Sequence, residues 1–264
     1  MKQYPKLTFL LLACIAIGYS ACIKSANINN KSNPSTVSTK VVSSNIAMNL
    51  KQILYGEYGS FSIADGANMP DNMDQNHKGR LKVQSTHSPD CDFKIDTAFQ
   101  FSLDLSDTAK FSIWNKIKYN VQCTGGTLSG ISVYDSLYVT ITSNEYIVLT
   151  KSGETLSMKL LTPGDKNSQL SMNGSMNVYA NLQAKTTAQK TTISSYNFSF
   201  NSLIIDPTKD GDIISGSASF ATKGSGADGT WDYKGTIQFL PNHRVKIVIS
   251  GSSYTYDLQT GLAA

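Results

Sequence analysis

The sequence has few charged residues and few of the residue combinations that mark common active sites. Charged residues make up 16% of the 264 positions, and only three residues are histidines, namely His77, His87 and His243. None of the three belongs to an H-x-H or H-E-x-x-H pair, which argues against a zinc site. No G-x-S-x-G sequence is present either, which argues against the nucleophile elbow of serine hydrolases. The sequence therefore predicts no cofactor and no recognised catalytic set.

A concentrated basic face and a membrane-spanning run are also missing. Lysines and arginines are scattered along the chain, so we expect no nucleic-acid partner. The longest apolar run covers residues 7–18. Because a helix needs about 20 apolar residues to cross a bilayer, this run is too short to be a transmembrane segment.

The N-terminus has the layout of a secretory signal. Lys2 and Lys6 precede the apolar run of residues 7–18, and the small residues Ser20 and Ala21 follow it directly before Cys22. This order of a basic start, a short apolar core and small residues is typical of a cleaved signal. We therefore predict a signal peptide over residues 1–21, with Cys22 as the lipid-bearing residue of the mature chain. An ordinary signal peptide, or lipidation at Cys14, is the alternative.

A polar segment follows the cysteine. Residues 22–44 are rich in Ser, Asn, Thr and Lys, a composition that predicts a flexible tether. Two or more acyl chains are needed for stable anchoring to a bilayer. The prediction is a single folded domain over residues 45–264, held in the cell envelope by lipid, with the outer membrane as the preferred site and the domain facing the periplasm or the exterior.

Two cysteines, Cys91 and Cys123, lie within the predicted domain. An even pair in an oxidising compartment predicts a disulfide, and both residues flank strand-like runs that are joined by a turn near residues 106–108. Two free buried thiols are the alternative.

The patterning predicts one helix followed by strands. Ile46, Leu50 and Ile53 repeat at helical spacing, with Ser44 as the expected cap and Gly56 as the stop. From Cys91 onward apolar residues alternate with polar ones, most clearly over residues 229–239. That alternation is typical of half-buried strands. Residues 145–151 and 154–162 are predicted as separate strands with a turn at residues 151–153.

Short turns separate the predicted strands. Gly, Pro, Asn and Asp mark them at residues 162–165, 209–211, 241–242 and 250–253. Such short connections predict neighbouring antiparallel strands. The predicted fold class is all-β, an antiparallel meander that forms a sandwich or an open barrel, with one short N-terminal helix.

Three features are candidates for a ligand site. Asp206, Asp210 and Asp212 surround a glycine turn and offer oxygen ligands of the kind that Ca²⁺ prefers, although the same residues are ordinary turn formers. The long Gly/Asp-rich stretch of residues 56–89 is the second candidate, because long loops often carry function. Trp114, Trp231 and the tyrosines are the third, since aromatic rings can stack on sugars. For Trp231, the alternation of its strand favours a place in the core.

The chain resembles the uncharacterised lipoproteins of Bacteroidota. The resemblance lies in the order of the Cys22 lipobox, the polar tether, Leu54-Tyr55-Gly56-Glu57-Tyr58-Gly59, and Cys91-Asp92-Phe93-Lys94 with a second cysteine. It implies an envelope location and no particular activity. Three functional hypotheses remain: a non-enzymatic binding or structural module for a glycan or an envelope protein, a carbohydrate hydrolase with acids in residues 65–96, and a lipocalin-like carrier.

Overall fold

The computed structural model describes residues 37–55, 91, 93–106, 108–165, 167–185 and 191–264. One helix, α1 (Thr39–Leu54), precedes the strands. The strands are β1 (Lys94–Ser106), β2 (Ala109–Thr124), β3 (Thr127–Thr142), β4 (Tyr146–Leu160), β5 (Leu170–Ala184), β6 (Thr191–Asp206), β7 (Asp212–Gly226), β8 (Gly229–Leu240), β9 (Arg244–Ile249) and β10 (Ser252–Asp257).

The ten strands form a single antiparallel sheet in chain order, from β1 at one edge to β10 at the other. The predicted all-β class and the meander are confirmed, and the sheet is not closed. The predicted turns at residues 162–165, 209–211 and 241–242 lie between consecutive strands. Asp210, Asn242 and His243 adopt positive φ angles in two of these turns. Asp and Asn tolerate this conformation better than most residues, which explains their presence there.

One face of the sheet, here called the inner face, packs against α1. The helix buries its apolar side (Val42, Ile46, Ala47, Leu50, Ile53 and Leu54) in the same cluster as side chains of strands β2 to β10. Hydroxyl groups join the two elements: Ser43 Oγ lies 2.7 Å from Tyr256 Oη, and Thr39 Oγ1 lies 2.7 Å from Tyr254 Oη. The opposite, outer face of the sheet faces away from the helix.

The helix begins earlier than predicted. Ser38, not Ser44, is the capping residue, and its hydroxyl accepts a hydrogen bond from the Val41 amide at 3.4 Å. Residues 39–44 therefore belong to α1, although their composition predicted a tether. Ser43 explains the difference, because its buried hydroxyl is bonded to Tyr256 across the core and to the Lys40 carbonyl, partners that the sequence does not reveal.

Two strand predictions need correction. The predicted turn at residues 151–153 is absent, because β4 runs straight through it and Gly153 pairs with Ser136 on one side and Asn177 on the other. In β6 the predicted inward residue Ile204 is only half-buried, whereas Leu203 and Ile205 are buried. Ser202 has a positive φ angle and the pairing with β7 is irregular there, which shifts the alternation by one residue.

The sulfur atoms of Cys91 and Cys123 lie 2.12 Å apart, the distance of a disulfide bond. The bond joins Cys91, three residues before the start of β1, to Cys123 near the end of β2. Within the described residues, no helix is long and apolar enough to cross a membrane. The predicted signal, the predicted lipidation site Cys22, most of the predicted tether and the predicted loop of residues 56–89 lie outside the described residues.

Candidate functional site

A shallow depression of about 500 Å³ lies on the outer face, across strands β2 to β5. Pleating places alternate residues of each strand on this face, and the strand register sets them in rows. Trp114, Tyr138 and Lys151 form one row through direct cross-strand pairing. Ser136, Gly153 and Asn177 form the next row, and Tyr134 with Thr155 forms a third. We call this feature the outer depression.

The outer depression has a floor because two residues of its middle row have small side chains or none. Ser136 has a short side chain and Gly153 has none, whereas aromatic rings stand on both sides. A Cβ placed on Gly153 would lie 3.1–3.2 Å from the side-chain amide atoms of Asn177. The Asn177 amide therefore lies directly beside Gly153 and closes one end of the floor.

Three aromatic side chains of the outer depression are partly open to solvent. Trp114 is 38% exposed, Tyr134 is 40% exposed and Tyr138 is 37% exposed. Large rings that stay this accessible on adjacent strands are typical of binding surfaces rather than of cores. The Lys151 ammonium lies 5.2 Å from the centre of the Tyr138 ring, a cation–π distance that holds a positive charge beside the rings.

Trp231 differs from Trp114 in its surroundings. Trp231 packs against the hydrophobic core, as its strand pattern predicts, and its indole N–H donates a hydrogen bond to Thr222 Oγ1 at 3.0 Å. The sequence offered both tryptophans as stacking residues. Trp114 lies among the exposed rings of the outer depression, and its neighbours Tyr134 and Tyr138 depend on a strand register that the sequence pattern does not reveal.

A pair of buried acids lies on the inner face behind the outer depression. Asp135 and Glu154 are direct cross-strand partners in β3 and β4, with 2% and 6% exposure. The Asn115 amide donates a hydrogen bond of 2.7 Å to Asp135 Oδ1. Burial, reinforced by the nearby Asp135 carboxylate, raises the pKa of Glu154 to about 8. Glu154 is therefore mostly protonated at neutral pH, which removes the repulsion between the two acids.

The two acids share a small internal cavity with Ile53 of α1, Met176 and Val178. These apolar neighbours account for the strong desolvation of Glu154. Glu154 also borders the outer depression through its place next to Gly153 in β4. Its carboxyl group belongs to the inner face, however, and so points away from the aromatic rings.

The three aspartates considered as Ca²⁺ ligands lie at turns between strands. Asp206 accepts hydrogen bonds from the amide and hydroxyl of Thr208, and these bonds lower its pKa. Asp212 accepts two amide hydrogen bonds of 2.8 Å from Asn242 and His243. Asp210 takes the left-handed position at the end of a short 3₁₀ turn, Pro207–Lys209. The described part of the chain holds no group of three or more His, Cys, Asp or Glu residues arranged to bind a metal ion.

The acids proposed for hydrolysis lie mostly outside the described residues. Of the acids in residues 65–96, Asp96 is described, and it forms an exposed ion pair of 3.0 Å with Lys118. The loop with His77 and His87 also lies outside the described residues. His243, in the turn between β8 and β9, is half-buried against Tyr55, with ring centres 5.4 Å apart.

Comparison with known proteins adds no relative: no family model, curated protein or solved structure matches the chain.

Proposed function

We propose that this chain is a non-enzymatic, glycan-binding module of a cell-envelope lipoprotein. The observation that supports the binding role is the outer depression, in which Trp114 and two tyrosines surround a floor made of Ser136 and Gly153. Ligand sites generally combine apolar or aromatic walls with a few polar groups and have volumes of about 300–1,000 Å³. The outer depression has these properties.

The chemistry of the walls favours a saccharide. Flat aromatic rings match the apolar C–H faces of a pyranose, and Trp and Tyr each add a polar N–H or O–H group at the rim. The Asn177 amide and the Ser136 hydroxyl offer donors and acceptors for sugar hydroxyls on the floor. Lys151 adds one positive charge, so we expect acidic saccharides to bind more tightly than neutral ones.

Titration of soluble acidic and neutral oligosaccharides into the purified protein, followed by calorimetry, tests this function. Trp114→Ala removes the largest exposed ring and is expected to weaken binding by tenfold or more, as at other aromatic hot spots. Gly153→Leu should weaken binding similarly by filling the floor, since its backbone is an ordinary strand and the atoms nearest to the new Cβ belong to the exposed Asn177 side chain.

Phe101→Ala is the matched control, because Phe101 is 50% exposed on the opposite face of the sheet. It should leave the affinity unchanged. Absence of binding to any saccharide, or equal affinity in the Trp114→Ala and wild-type proteins, would refute the proposed function. Trp231→Phe leaves Trp114 as the only tryptophan, so a change in its fluorescence on binding would locate the ligand directly.

Hydrolysis is the second candidate, favoured by the cross-strand pair of Asp135 and Glu154. Glycosidases use two carboxyl groups, one of which is kept protonated near neutral pH, and Glu154 has that property. Access argues against it, because both side chains are almost fully buried under α1. Release of reducing ends from the same saccharides, lost in Glu154→Gln, would support hydrolysis over simple binding.

The envelope location rests on the N-terminal sequence and on the disulfide, which suits an oxidising compartment. Lipidation at Cys22 predicts that the mature chain begins at this residue and carries acyl groups. Mass spectrometry of the N-terminal peptide from membranes of the native host tests this proposal. We expect a mass increase on Cys22 that the Cys22→Ala variant lacks, and an unmodified Cys22 would contradict the anchor.

A further inference from the structure

Among the described residues, strand β1 has a partner on one side only and leaves one edge of the sheet open. It is the first strand in the sheet order and pairs with β2 alone, while its other side makes no backbone hydrogen bond to any described residue. The edge at β10 differs, because the C-terminal residues cover it. The Ala264 amide donates a hydrogen bond of 3.0 Å to the Thr255 carbonyl, and Tyr256 forms a bridge with Ala263.

The open edge carries an exposed apolar row. Phe99, Phe101 and Leu103 alternate on the inner face of β1 and are 41%, 50% and 42% exposed. The strand is 13 residues long, without proline, and its pairing with β2 is irregular only near Asp104. Soluble proteins normally protect such edges with prolines, bulges or inward charges, because a long flat edge readily pairs with another strand.

The sequence of β1 is complementary to itself in one register. When two copies are paired antiparallel about a twofold axis at Phe99, Lys94 lies opposite Asp104 and Ile95 lies opposite Leu103. The apolar residues of both copies then share one face, and opposite charges meet at both ends of an eleven-residue ladder. Opposite charges in direct cross-strand positions stabilise a pair, whereas like charges destabilise it.

Neighbouring registers fit less well. An axis at Gln100 would place Asp96 directly opposite Asp104, a repulsive pair that occurs twice. An axis at Phe101 would pair Asp104 with Ala98 and leave Lys94 beyond the end of the ladder. Asp96 is neutralised within its own chain by Lys118, so the register at Phe99 leaves no charge of β1 unopposed.

We propose that β1 is a homodimerisation edge, which pairs antiparallel with β1 of a second copy about a twofold axis at Phe99. The two sheets then form one continuous sheet. The backbone groups of the open edge gain hydrogen-bond partners, and the exposed phenylalanines of both copies come together.

The dimer would also place two outer depressions on one face, a consequence that rests on the proposed function. The β2 strands of the two copies are separated by the two β1 strands, which corresponds to roughly 14 Å at the usual strand spacing. A polymeric saccharide could then engage both copies at once.

Sedimentation velocity of the purified protein over a range of concentrations tests the dimer. Asp104→Lys and Lys94→Glu each create like-charge pairs at both ends of the ladder, so each is expected to weaken dimerisation by tenfold or more. The combined Lys94→Glu/Asp104→Lys variant reverses both charges and should restore the wild-type association. Lys234→Glu, an exposed charge on β8, is the control and should have no effect.

Cross-linking tests the register. In Phe99→Cys the two new thiols meet at the axis, within the distance of about 4.4–6.8 Å between Cα atoms that a disulfide requires, so oxidation should give a covalent dimer. Phe101→Cys faces Thr97 of the other copy and should remain uncross-linked. A monomer at all concentrations, a dimer insensitive to both single charge variants, or preferential cross-linking through position 101 would overturn the proposal. None of these results depends on saccharide binding, so the proposed function stands or falls separately.

Discussion

At the scale of single residues, this protein offsets the free-energy cost of burying a carboxyl group in two different ways. Asp212 is 2% exposed and is compensated by the Asn242 and His243 amides, whose positive φ angles point both N–H groups at one carboxylate. Hydrogen bonds to a charged group are stronger than neutral ones and stabilise the turn between β8 and β9. In Glu154, by contrast, the buried Oε1 atom has no hydrogen-bond partner among the described residues. Glu154 is compensated by protonation instead.

The protonation of Glu154 predicts a specific dependence of stability on pH. Its pKa is about 8 in the folded protein and 4.5 in the unfolded chain, so the folded state holds the proton more tightly. The contribution of this proton to the free energy of unfolding is fully present below pH 4.5, declines as the pH rises, and is lost above about pH 8. A shift of this size corresponds to a loss on the order of 3–5 kcal/mol.

Urea unfolding at several pH values measures this effect. Glu154→Gln has no titrating proton at this position. As the pH rises from 5 to 8, the free energy of unfolding of the wild type should therefore fall relative to that of Glu154→Gln. Glu145→Gln, at an exposed turn, is the control and should keep the wild-type slope. Parallel pH profiles for wild type and Glu154→Gln would contradict the assigned pKa.

At the scale of elements, the sequence pattern predicts what each strand buries but not where a strand must continue. The alternation of β8 is confirmed, with Ile237 and Phe239 buried and Thr236 and Gln238 exposed. Such a pattern is local, so it can be read from the sequence. In β4, Lys151-Ser152-Gly153 has the composition of a turn, yet pairing with β3 and β5 on both sides keeps it extended.

The helix shows the same limit. The buried positions Ile46, Leu50 and Ile53 were predicted correctly because their spacing is intrinsic to a helix. The early start at Thr39 depends on Tyr254 and Tyr256, which are more than 200 residues away and bind the hydroxyls of Thr39 and Ser43. The outer depression was missed for the same reason, since it depends on the register of four strands and on a glycine that looked like part of a turn.

At the scale of the whole molecule, the core and the open edge lie in different parts of the sheet. The described hydrophobic cluster joins α1 to β2–β10, whereas every residue of β1 is exposed or only half-buried and Ile95 is its one side chain packed against the cluster. Burial of apolar surface therefore contributes little to holding β1 in place. The strand depends on its hydrogen bonds to β2, on the disulfide between Cys91 and Cys123, and, in our proposal, on pairing with a second copy.

This arrangement predicts that loss of the disulfide affects β1 first. Closing a loop of this length contributes about 3.5–4 kcal/mol in the chain-entropy model, so the Cys91→Ser/Cys123→Ser variant should be destabilised by up to that amount. Hydrogen exchange measures where the loss falls. Amides of β1 and of the paired side of β2 should lose protection well before those of β8 and β9, because local opening precedes global unfolding where few apolar contacts are made.

The same disulfide-free variant should dimerise more weakly, since an edge strand that frays pairs less well with a second copy. Uniform loss of protection across all ten strands would instead mean that β1 folds as part of the core, and the independence of the edge from the rest of the sheet would have to be abandoned.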